Sequence, residues 1–118
     1  MTITKVGDEE LIKEEGDIIQ LAFTIEGRVT VSKGFVYRVS GNTEILLDEF
    51  TNIGKGSSAN TVIVTTPSTS GIYTYRIKIL DSSGSYATTI DGTEYVEYTV
   101  RYGGISIIYN FTNSIDII

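Results

Sequence analysis

Apolar and polar side chains alternate with a period of two along most of this chain, the spacing of strands with one dry and one wet face. In Ile18–Glu26, Leu21, Phe23 and Ile25 fall on one face, opposite Gln20, Thr24 and Glu26. In Gly71–Leu80, Tyr73, Tyr75, Ile77 and Ile79 oppose Thr74, Arg76 and Lys78. In Glu94–Tyr102, Val96, Tyr98, Val100 and Tyr102 alternate with Tyr95, Glu97, Thr99 and Arg101. Turn chemistry separates the runs at Gly27-Arg28, Ser40-Gly41-Asn42, Gly54–Ser58, Asp81–Gly84 and Asp91-Gly92. The pattern predicts an all-β antiparallel sandwich of about eight strands. They are drawn from Thr2–Val6, Ile18–Glu26, Val29–Val39 (bent at Lys33-Gly34), Glu44–Phe50, Thr61–Thr66, Gly71–Leu80, Ser85–Ile90, Glu94–Tyr102 and Ile105–Phe111. Glu9–Glu15 reads as a helical turn. No repeat, linker or low-complexity tract interrupts residues 1–118, so one domain is expected.

The segment Val62–Tyr75 carries a family resemblance. Thr69, Gly71, Tyr73 and Tyr75 stand where an immunoglobulin-like domain has Asp, Gly or Ala, Tyr, and Cys at alternate positions before and within its F strand. The arrangement resembles that corner. The resemblance implies that the Tyr73 hydroxyl bonds back to the upstream backbone. It also implies that Tyr75 replaces the disulfide cysteine, and that Phe35 or Tyr37 fills the space of the missing C-strand Trp. Cysteine-free domains of this shape resemble modules of phage virions (decoration, fibre or tail), of surface adhesins and of extracellular enzymes.

Composition narrows the function classes. The 118 residues lack Cys and His, which removes disulfides, thiolate zinc sites and every Ser–His or Cys–His catalytic pair. The net charge is −6 with nine scattered basic residues, the wrong sign for displacing counterions from nucleic acid. No apolar run reaches the ~18 residues of a membrane span, and Met1–Val6 lacks the apolar core of a secretory signal. The expectation is therefore a non-catalytic protein without cofactor or metal.

Several motifs have a plainer reading beside the functional one. Gly54-Lys55-Gly56-Ser57-Ser58 lacks the spacing of a phosphate loop and reads as an interstrand loop, with Lys55, Ser57 and Ser58 as candidate contacts. Asp81-Ser82-Ser83-Gly84-Ser85 offers oxygens of the kind calcium takes, but a hairpin turn accounts for it. Ser82 and Ser83 join the candidate loop contacts. The acidic run from Asp8 to Asp17 reads as a solvated segment rather than a metal or basic-partner site. Asn110-Phe111-Thr112 matches the glycosylation rule but is not expected to be used.

After Gly103-Gly104 the chain becomes rich in isoleucine: Ile105, Ile107, Ile108, Tyr109, Phe111, Ile115, Ile117 and Ile118. Such a segment requires cover. It is either the last strand of this domain's own sheet or a contact with another subunit. The functional expectation is a structural protein that self-associates or enters a larger protein assembly: a virion component, with a cell-surface adhesion module as the alternative.

Overall fold

The structure, a computed structural model, describes residues 1–103. The predicted strand Ile105–Phe111, the glycosylation motif and the eight contact residues between Ile105 and Ile118 lie outside the described residues. Eight strands follow one another: β1 (Thr2–Val6), β2 (Glu10–Lys13), β3 (Ile19–Glu26), β4 (Val31–Ser40), β5 (Thr43–Phe50), β6 (Gly56–Val64), β7 (Gly71–Asp81) and β8 (Val96–Tyr102). They form a three-stranded sheet in the order β1-β3-β6 and a five-stranded sheet in the order β2-β8-β7-β4-β5. The fold is an all-β sandwich of two sheets, with the first, third and sixth strands packed against the rest.

Local chemistry explains the path. The β-branched and aromatic content of Ile19–Glu26 suits a pleated, half-buried surface. Gly41, at φ +61°, opens a two-residue turn with Asn42, the glycine-first pattern of a type II′ hairpin that matches the twist of β4 and β5. Gly7, at φ +110°, lets the chain leave one sheet after β1 and enter the other as β2. There β2 pairs in parallel with β8, Glu10 beside Thr99 and Lys13 beside Tyr102. This corrects the helical turn expected over Glu9–Glu15: a free sheet edge claims the backbone of Glu-Leu-Ile-Lys, and Leu11 packs against the core.

The inward faces follow the alternation. Ile3, Ile19, Leu21, Phe23 and Ile25 of the smaller sheet meet Val36, Tyr75, Ile77, Ile79, Val96, Tyr98 and Val100 of the larger in one buried cluster. The Tyr98 hydroxyl donates to the Ala22 carbonyl at 2.6 Å, tying the sheets together, and its burial raises its pKa. The corner bond also forms: the Tyr73 hydroxyl donates to the Thr69 carbonyl at 2.7 Å.

Three other expectations change. Phe35 and Tyr37 do not fill the interior. Their neighbour Val36 sits opposite the buried Ile77, so both rings stand on the outer face. The interior space is taken instead by Phe50, whose ring lies over Gly34; a Cβ there would fall 2.3 Å from its Cζ. Ser85–Ile90 forms no strand, only isolated bridges between Leu80 and Tyr86 and between Thr2 and Thr88. The sixth strand begins at Gly56 rather than Thr61, because Gly56 and Asn60 pair with Ile25 and Phe23 of β3.

Candidate interaction surfaces

Unequal sheet widths create the first surface. Strands lie roughly 4.8 Å apart, so five strands extend beyond three by roughly 10 Å. The margin strand β5 is consequently left without full cover. Its consecutive residues Ile45, Leu46 and Leu47 are 38%, 48% and 41% exposed. Leu46 sits opposite Tyr37 and shares the outer face; Ile45 sits opposite Arg38 on the inner side. Leu47, Arg38, Thr65, Thr66, Pro67 and Tyr75 line a cavity of about 200 Å³ at the adjoining end of the sandwich. The Arg38 Nε is buried there without a hydrogen-bond partner among the described residues. No described residue pairs with the outer side of β5, which closes the sheet order among the described residues. An edge of this kind offers main-chain donors and acceptors beside an apolar strip.

A charged and aromatic network covers the outer face of the same sheet. Glu44 of β5 accepts from Lys78 Nζ at 2.7 Å and from Arg76 at 2.9 Å, reaching across β4 to β7. Arg76 also bonds Glu97 of β8 at 2.8 Å and stacks over Tyr95 with 4.2 Å to the ring centroid. Lys78 lies 4.9 Å from the Tyr37 ring, and Phe35 stacks on Tyr37. The Lys78 hydrogen bond, reinforced by Arg76, holds the Glu44 carboxyl below its ordinary value against an opposing effect of burial. The network pins the margin strand to the sheet's centre while leaving aromatic rings on the surface.

The loop residues singled out from sequence gather at the opposite end of the sandwich. Lys55 Nζ donates to the carbonyls of Gly27 and Val29, and the Ser82 N–H donates to Thr30. The two segments thus flank the Gly27–Thr30 turn. Ser57 and Ser58 are exposed but belong to β6 rather than to a loop. Asp81 serves its own turn: Oδ1 accepts from the Ser83 N–H, the Ser83 hydroxyl and the Ser85 N–H at 2.9, 2.6 and 3.0 Å. Those bonds, that of the Ser83 side chain foremost, lower its pKa. Among the described residues no three Asp or Glu side chains converge as a metal site would require.

The sequence reading passed over β5 as an interaction surface, yet a signal was there. Alternation needs an inward apolar residue at every second position, and three in succession at Ile45, Leu46 and Leu47 place apolar side chains on both faces. Comparison with family models, with curated proteins and with solved structures finds no match to this chain.

Proposed function

We propose that the chain is a non-catalytic assembly module that joins a larger protein structure through the β5 margin, in the setting of a virus particle. The observation that carries this reading is the exposure of Ile45, Leu46 and Leu47 on an edge strand that no described residue pairs on its outer side. Natural sheet edges are commonly guarded by charge, bulges or cover. Here the edge carries a bulge at Leu47 and the carboxylates of Glu44, Asp48 and Glu49, yet Ile45, Leu46 and Leu47 still leave apolar surface open on both faces of the strand, and exposed apolar area of this kind favours contact with another protein surface. The reading includes association of the chain with itself.

Light scattering on the full chain tests it. The wild type is expected to exceed the 12.9 kDa monomer mass in a concentration-dependent way. The double variant Ile45→Lys, Leu46→Lys is expected to return to that mass with an unchanged circular dichroism spectrum. The wild type is further expected to co-purify with virus particles and to occupy a repeated site on them. A wild type that stays monomeric at all concentrations and is absent from particles would refute the reading.

A surface adhesion module is the second reading. It is favoured by the rings of Phe35, Tyr37, Tyr86 and Tyr95 interleaved with Lys78 and Arg76 on the outer face. Such rings suit the apolar faces of sugars as well as proteins. Glycan binding that is lost in Tyr37→Ala and Tyr95→Ala, but retained in the β5 double variant, would select it.

A further inference from the structure

We propose that the free side of β1 is a second docking site, distinct from the β5 margin, which takes up an extended peptide by adding it as a strand. The upstream half of this edge is already occupied by the chain itself. The Ile3 N–H donates to the Thr88 carbonyl at 2.9 Å, and the Thr88 N–H donates to the Met1 carbonyl at 3.0 Å. These bonds make a short parallel bridge between Thr2 and Thr88. In a strand, the N–H and C=O of one residue point to the same side, and the direction repeats every second residue. The Ile3 carbonyl and both main-chain groups of Lys5 therefore face the same free side, while Thr4 and Val6 turn toward β3.

A continuing strand would bond these groups, but the chain turns away. The Thr89 N–H donates to the Thr93 carbonyl at 2.8 Å and the Gly92 N–H to the Thr89 carbonyl at 2.9 Å. The Thr93 N–H bonds the Thr89 hydroxyl at 3.1 Å, and that hydroxyl bonds the Asp91 carboxylate. The turn diverts the main chain from β1 just where the ladder would go on. No described residue bonds the Ile3 carbonyl or the Lys5 N–H.

The space so opened is a groove of about 530 Å³, bounded by Ile3, Lys5, Ile90, Tyr95, Val96 and Glu97. Ile90, at the tip of the pinned turn, is 93% exposed and forms an apolar wall. Unpaired main-chain donors and acceptors beside such a wall are complementary to the main chain of an extended peptide carrying aliphatic side chains. Thr88 already shows the pairing mode on the same edge. Because the turn is held by its own hydrogen bonds, the groove is formed before a ligand arrives, which limits the ordering cost of binding.

The probe is an acetylated, amidated seven-residue peptide that alternates threonine with valine and isoleucine between terminal lysines, added to the full chain and followed by amide NMR and hydrogen exchange. In the free protein the Lys5 amide is expected to exchange faster than those of Thr4 and Val6. Peptide is expected to shift the Thr4–Val6 and Thr89–Tyr95 signals and to slow Lys5 exchange at least tenfold. Lys5→Pro removes a main-chain donor that β3 does not use, together with the side-chain bond to the Glu97 carbonyl; Lys5→Ala loses only the latter, and Lys5→Pro is expected to bind five- to tenfold more weakly than Lys5→Ala. Should that variant fold poorly, Ile90→Asp alters only an exposed side chain and is expected to weaken binding as well. The proposal is overturned if a peptide N-methylated at alternate residues binds equally well, if the shifts map to β5, or if Lys5 is protected by rising protein concentration without peptide. That last result would make a second copy the occupant.

Discussion

The two long strands β7 and β5 belong to the same sheet, are separated only by β4, and meet opposite fates. In β7, Tyr75, Ile77 and Ile79 are fully enclosed, while Thr74, Arg76 and Lys78 face outward. In β5, Ile45, Leu46 and Leu47 keep between a third and a half of their surface in water. The apolar side chains are of similar kind and size. What differs is placement: β7 turns these side chains toward the three-stranded sheet, whereas β5 overhangs that sheet and turns Leu46 to the outer face. Burial in a sandwich is thus set by position in the layer as much as by hydrophobicity, and the overhang is where contact with a partner would bury further apolar area.

Paired substitutions sharpen this contrast. Ile77→Ala is expected to lower unfolding stability by about 2–5 kcal/mol, since it opens a cavity that packed neighbours cannot close. Ile45→Ala, on the inner side of β5 but 38% exposed, should cost only about 1 kcal/mol or less in the isolated monomer. Denaturant titration at low concentration measures both, and equal losses would mean that β5 is as well covered as β7.

A smaller effect is expected where the margin reaches the interior. Gly34→Ala forces a methyl group against the Phe50 ring and the Ile79 side chain, and overpacking of that kind costs about 1–3 kcal/mol. Phe50→Leu in the same chain should recover part of the loss, and a simply additive double variant would mean that the two sites do not touch.

The smallest effect concerns the tie between margin and centre. Glu44 has a lowered carboxyl pKa in the folded protein, so the stability it lends is present above its ordinary value of 4.5 and is lost as pH falls through the folded value. Because the ion pair is partly exposed, the loss should be below about 1 kcal/mol. Glu44→Gln is expected to flatten the stability-versus-pH curve on the acid side of 4.5 and to leave its slope near neutrality unchanged.

Much of this architecture could be read from the chain. Strict alternation over several residues located β3, β7 and β8 and named their inward side chains, and the corner bond of Tyr73 was implied by the resemblance carried by Thr69, Gly71 and Tyr73. Reading weakened where a partner strand distant in sequence decides the matter. Glu10–Lys13 is too short to show a period, and its strand state comes from pairing with Thr99–Tyr102. Gly56–Asn60 has loop composition and is recruited by β3. Phe35, Val36 and Tyr37 are all apolar, so the stretch shows no alternation; the resemblance implied a ring in the interior, and register against Ile77 chose the valine. The β1 groove was illegible for a different reason. Its recognition groups are main-chain atoms exposed by the turn at Thr89–Thr93, and side-chain identity does not encode a missing neighbour.

The parallel pairing of β2 with β8 also has a mechanical meaning. The described chain begins on one side of this pair and leaves from the far end of β8, where the Gly103 N–H still donates to the Lys13 carbonyl at 2.8 Å. Tension between the two ends would first load β1 against β3, and once β1 is released would slide β2 and β8 lengthwise past each other, loading their evenly spaced rungs together rather than peeling them one at a time. A module joined in series by its ends would resist stretching through the same four residues that a composition-based reading left out of the sheet.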